Sequence, residues 1–220
     1  MKVLLSALLL LVSSIAAADS PFDGRYEQTL QPIPTGNAAK IEVVELFWYG
    51  CPHCYDLEPA LAAWVKKLPK DVEFKRVPGL PNPSWAPMAK AYYTMEALGI
   101  ADKLHSPLFD AIHKQRTLKP NDEAGTIDWI IKQSGLDRKK VEDAYNSFSV
   151  NTKVTRAAQI FRASGATGVP AIIVDGKYLT SIKLATKGNE SISAAQANEQ
   201  LFAVTDYLID QLRKEKAAKR

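Results

Sequence analysis

The run Ile41–Trp48 (IEVVELFW) is β-branched and aromatic, broken only by Glu42 and Glu45, and it stops just short of the segment Gly50-Cys51-Pro52-His53-Cys54. Such a run reads as a buried strand. Beyond it Leu57, Ala60, Leu61, Trp64, Val65 and Leu68 recur at helical spacing until Pro69, so the cysteines fall at a strand-to-helix junction. Pro52 lies in the first helical turn, where its missing N–H costs nothing. Val72–Val77 (VEFKRV) reads as a second strand, which closes a strand-helix-strand crossover and calls for an α/β fold. Cys51 is thereby placed at a helix N-terminus, where free backbone N–H groups and the positive end of the helix dipole favour a thiolate. Cys54, one turn on, is covered by helix and strand. One sulfur is expected exposed and acidic, the other sheltered.

These are the only 2 cysteines in 220 residues, and the N-terminus suggests where they work. Lys2, the apolar stretch Val3–Val12 (VLLSALLLLV) and Ala16-Ala17-Ala18 before Asp19 have the form of a cleaved secretory signal over residues 1–18. Val3–Ala18 falls short of the roughly 20 residues a membrane span needs. In an oxidising compartment the pair will meet oxidant, yet a bridge across four consecutive positions cannot staple distant elements together. A zinc site wants four ligands, and His53, His105 and His113 without a second Cys pair do not supply one. Redox chemistry remains, with no metal and no cofactor expected.

The rest of the chain is ordinary globular material. A hydrophobic fraction of 46% and a charged fraction of 24% support a packed core and argue against a disordered or multi-span membrane protein. Lys+Arg 28 against Asp+Glu 24 is scattered rather than gathered in a stripe, so nucleic-acid binding gets no support. After the punctuated stretch Pro78–Pro87, helical patterns follow one another from Met88 to Phe161, with Ser134-Gly135-Leu136-Asp137 as a helix stop and a new N-cap. Pro107 either opens a fresh helix or kinks a longer one. Strands return at Ala171–Val174 and Lys177–Thr180 around Asp175-Gly176, a type I′ hairpin signal. Leu201, Phe202, Val204, Leu208, Ile209 and Leu212 mark a last amphipathic helix.

Three stretches carry a resemblance: Val43–Cys54 (VVELFWYGCPHC), Gly168-Val169-Pro170 ahead of the Ala171 strand, and Asn146-Ser147-Phe148. On them the chain resembles the DsbA family of periplasmic thiol:disulfide interchange proteins over nearly its whole mature length. The resemblance implies a thioredoxin-like fold with an inserted all-helical domain. Its expected divisions are a signal at 1–18, an N-terminal segment at 19–37, a discontinuous thioredoxin-like domain at 38–80 and 165–217, and the helical insert at 84–163.

The same resemblance implies a dithiol oxidase that introduces disulfide bonds into unfolded or reduced exported proteins and is reoxidised by a quinone-linked membrane oxidase. A periplasmic location and a monomer are expected. Pro170 is expected in the cis form facing the cysteines, with the backbone of Val169 open to an extended client segment. Glu45 precedes Cys51 by six positions, as does the buried acid of that family, and is expected to handle protons beside Cys54. Lys75 on the next strand is its available cation. His53, between the cysteines, lies within reach of Cys51, whereas His105 and His113 read as plain helix residues. Trp48, Tyr49 and Trp85 are either core or the apolar rim of a client groove. A disulfide reductase or isomerase of the same fold, or a redox-inert client-binding protein, are the alternatives. About twenty residues precede the first expected strand in the mature chain, too few for the added N-terminal domain on which isomerases of this compartment dimerise.

Overall fold

The computed structural model describes residues 20–218, and the expected signal peptide lies outside them. The chain enters the sheet at a two-residue strand, β1 (Glu27–Gln28), which the sequence pattern does not mark. Next comes β2 (Ile41–Phe47), all seven residues buried, as the apolar run predicts. Helix α1 (Pro52–Val65) follows, with Cys51 as its N-cap and Pro52 at the first helical position. Strand β3 (Val72–Pro78) then runs parallel to β2.

Five helices occupy the stretch between β3 and the next strand: α2 (Ala86–Ala97), α3 (Ala101–His113), α4 (Glu123–Ser134), α5 (Arg138–Tyr145) and α6 (Phe148–Ser164). Their ends carry local signals. Asp122, Asp137 and Ser147 cap the last three by accepting from backbone N–H groups of the first turn, each satisfying a donor the helix leaves free. Gly135 ends α4 at φ 69°, a left-handed conformation that suits glycine. Pro107 lies inside α3 on its exposed side. One helix therefore runs through it, which settles the alternative the sequence leaves open.

Strands β4 (Ala171–Val174) and β5 (Tyr178–Ser181) form the hairpin. Asp175 and Gly176 both have positive φ, 51° and 66°, as a type I′ turn demands. Pairing of Val174 with Tyr178 starts the second strand one residue later than expected. A side chain at Gly176 would run into the Ile33 carbonyl, so the turn is closed from outside as well. Helices α7 (Ile182–Ala185) and α8 (Ala194–Ala218) complete the chain.

The sheet order is β1-β5-β4-β2-β3. Side chains alternate across it and build two cores. Ile41, Val43, Ile172 and Val174 pack with α1 and α8, while Val44, Leu46, Ala171 and Ile173 pack with the inserted helices. No helix among the described residues is long and apolar enough to cross a membrane.

Candidate active site

Cys51 ends the loop that joins β2 to α1, and its N–H is held by the Trp48 carbonyl at 2.9 Å. The tight loop needs Gly50, because any side chain there would collide with the Trp48 ring. Cys51 and Cys54 are free thiols, 8% and 0% exposed. The sequence-based expectation of an exposed Cys51 needs adjusting. The Val169–Pro170 segment lies against it, with the Val169 carbonyl oxygen 3.4 Å from the Cys51 sulfur. The Val169–Pro170 peptide bond is cis.

The two sulfurs have opposite acidity. The Cys54 thiol donates to the Cys51 sulfur, and although burial pushes the other way, the Cys54 and His53 backbone N–H groups and the His53 charge help bring Cys51 down to about 6. Burial pushes Cys54 well up, and the neighbouring Cys51 and Glu45 push it further. At neutral pH Cys51 is thus the thiolate and Cys54 the thiol. His53 itself is exposed beside the pair.

Below Cys54 lies a buried charge cluster. Glu45 is 1% exposed, and its cation is Arg76, whose Nε stands 3.2 Å from Oε2. Lys75 is therefore corrected as the partner. The parallel register sets Arg76 beside Glu45 and Lys75 beside Val44, so Lys75 projects from the other face of the sheet. There it pairs with Glu42 and Glu73, partly in solvent. Arg76 also holds Glu58 of α1, with Nη2 3.2 Å from both carboxylate oxygens. One guanidinium thus serves two carboxylates. Burial raises Glu45 to about 8 against the pull of Arg76, and the nearby Glu58 adds to the rise. At Glu58 burial acts the same way but is outweighed by the neighbouring His105 and Arg76, and its carboxyl sits below the usual range.

Tyr49 is 1% exposed, which removes it from any client-facing rim. Its hydroxyl lies 2.7 Å from His105 Nδ1, and its carbonyl accepts from His113 Nε2 at 2.7 Å. Both histidines, read from sequence as plain helix residues, therefore hold the loop that carries Cys51. The available signal was the spacing of His105, Phe109 and His113 at i, i+4 and i+8, one stripe of α3. Trp48 does reach the surface, half-buried and stacked on Trp85 at 4.0 Å between ring centroids. A groove of about 1060 Å³ runs along β3 past Lys75, Tyr93 and Lys153, and neither the cysteines nor Val169 line it.

Residues 71–198 match the DSBA-like thioredoxin domain family. The thiol:disulfide interchange protein DsbA of Burkholderia cepacia is 44% identical over 189 residues, spanning 82% of this chain and 87% of that protein. The chain belongs to the DsbA family. The matched domain begins after the cysteines, but full-length similarity includes them: the DsbA of Pseudomonas aeruginosa is 35% identical over 99% of this chain and 98% of its own. The crystal structure of that DsbA superposes with a TM-score of 0.77 at 35% identity, covering 90% of this chain and 96% of the other. Membership makes the protein a thiol:disulfide oxidoreductase of thioredoxin-like fold with inserted helices.

Proposed function

We propose that the protein is an exported oxidant that passes the Cys51–Cys54 disulfide to the thiols of other proteins, introducing disulfide bonds into them. The observation that carries this direction is the split acidity of the pair, with Cys51 brought down to about 6 and Cys54 pushed well up. A stabilised thiolate favours the reduced form, and a low thiol pKa makes Cys51 a good leaving group.

In the oxidised protein a client thiolate attacks the Cys51 sulfur. The bond to Cys54 breaks, and Cys54 leaves with its electron pair and takes up a proton. Glu45, still largely protonated at neutral pH and near enough for its charge to act on Cys54, is the group assigned to supply it. A second client thiolate then attacks the client's own sulfur in the mixed disulfide and releases Cys51 as the thiolate. Two client thiols have become a disulfide, and the protein's disulfide has become two thiols.

The Val169 backbone beside Cys51 suits pairing with an extended client segment, a contact that tolerates many sequences. Trp48 and Trp85 supply an apolar border near it. The clients are unfolded or reduced proteins of the periplasm, the reoxidant is a quinone-linked membrane oxidase, and the protein acts as a monomer. Residues 38–80 with 165–217 act as the thioredoxin-like domain and residues 84–163 as the helical insert. The test mixes the oxidised protein with a reduced, unfolded secreted protein and follows client thiols. Stoichiometric loss of client thiols is expected. Failure to oxidise, with efficient reduction of insulin by the dithiol form, would assign the protein to the reductases.

A further inference from the structure

Helix α3 touches both flanks of the Cys51-Pro52-His53-Cys54 turn, and the reaction described above uses none of its residues. Ahead of the turn stands Tyr49. His105 takes its hydroxyl and His113 its carbonyl, each at 2.7 Å. Behind the turn stands Tyr55, whose ring stacks on His113 with centroids 5.0 Å apart and 17° between planes, and whose hydroxyl donates to Asp110 at 3.0 Å. His113 thus bridges the residue two before Cys51 and the residue just after Cys54. Phe109, between the two histidines, packs on the Tyr49 ring at 4.8 Å.

The hydrogens on these rings follow from their partners. A carbonyl only accepts, so His113 Nε2 carries a proton. Glu58 stands 3.4 Å from His105 Nε2, and a carboxylate also accepts. A proton on Nε2, facing that carboxylate without a hydrogen bond to it, leaves Nδ1 bare to accept from the Tyr49 hydroxyl. The arrangement leaves Tyr49 no freedom to rotate its ring or its peptide without losing a buried hydrogen bond, and a lost buried partner is more costly than a surface one.

We propose that α3 is a positioning element for the redox pair: His105 and His113 fix Tyr49, and His113 with Asp110 fixes Tyr55, so the inserted helices set where the Cys51 sulfur sits relative to the first turn of α1. Only Gly50 separates Tyr49 from Cys51, and the donors that hold the thiolate are the His53 and Cys54 N–H groups and the Cys54 thiol. A loop free to shift by a fraction of an ångström moves the sulfur off those donors. These residues touch neither client nor sulfur and act through Tyr49 and Tyr55.

The inference rests on Cys51–Cys54 being a redox pair, and its test keeps the two apart. The equilibrium with glutathione and the pH titration of the Cys51 thiolate are measured for the wild type, H113L, H113Q and Y49F, with urea midpoints as a check of folding. Gln can donate from its amide nitrogen to the Tyr49 carbonyl, whereas Leu cannot. H113L is expected to favour the disulfide form about fivefold more than the wild type and to titrate at higher pH, with H113Q restoring most of both. Y49F removes one hydroxyl from an otherwise unchanged ring and is expected to shift both readouts the same way, which carries the test alone should H113L fail to fold. Wild-type behaviour in every folded variant would overturn the clamp, as would a shift in H113L that H113Q does not restore. A wild type inert towards glutathione would remove the redox reading and the clamp with it.

Discussion

The Cys51 sulfur lies 3.4 Å from the carbonyl oxygen of Val169, a contact across 118 residues of chain. A thiol can donate to that oxygen and a thiolate cannot, so ionisation frees the Val169 carbonyl for another donor, such as the N–H of an extended client. The sulfur that is attacked and the backbone that would seat the client are therefore neighbours. Cys51→Ser should abolish oxidation of a reduced client. Cys54→Ser should accumulate a mixed disulfide through Cys51, because Cys54 can no longer displace the client. Mass spectrometry of trapped complexes decides it, and capture through Cys54 would reverse the roles.

His53 adds both a backbone N–H and a charge to the thiolate. Replacing its side chain with Ala leaves the N–H and removes the charge. His53→Ala should therefore raise the Cys51 titration, by less than a full unit given the exposed position of the ring. Thiolate absorbance against pH reads this directly, and an unchanged curve would leave the helix terminus and Cys54 as the whole cause.

Because Cys51 is depressed in the folded state, its contribution to stability is complete above the unfolded thiol value and is lost as pH falls through about 6. At pH 7 it contributes about 1 kcal/mol to the reduced form, allowing for solvent that reaches the sulfur. Closing a four-residue loop restricts the unfolded oxidised chain by about 2 kcal/mol. The loop term does not vary with pH, so in urea unfolding the oxidised form should gain about 1 kcal/mol on the reduced form between pH 7 and pH 5. A gap that narrows in acid would contradict the sign.

Arg76 faces two buried carboxylates, while Lys75 lies on the opposite face of the sheet. Arg76→Met should destabilise the protein by about 3–5 kcal/mol, because it leaves buried charge uncompensated. Lys75→Met should cost less, about 1–2 kcal/mol, because Lys75 and Glu73 reach solvent and only Glu42 is buried. Urea unfolding of the two variants compares them, and equal losses would contradict the register argument.

That pair of residues also shows where sequence stops being informative. The junction at Cys51, the Asp175-Gly176 turn and the stops at Gly135 and Asp137 were legible because each is encoded within a few neighbouring residues. The family resemblance extended this to Val169 and Pro170. Which of Lys75 and Arg76 meets Glu45 was not legible. It depends on the register of β3 against β2, and a slip of one residue exchanges the two faces. His105 and His113 were missed for a related reason. Their partner, Tyr49, is distant in the chain, and histidines on an amphipathic helix look alike whether they face solvent or a loop. Tyr49 is an amphipathic side chain that suits core and rim alike, and only the packing of α3 buries it.

Disulfide donation requires that the fold stabilise the reduced pair relative to the oxidised one. Equilibration of Cys51–Cys54 with a series of glutathione buffers at pH 7 tests it most directly, the fraction of free thiol giving the reduction potential. A potential clearly more positive than the about −200 to −270 mV spanned by glutaredoxins and thioredoxins is expected; a value within or below that range would rule out a disulfide donor.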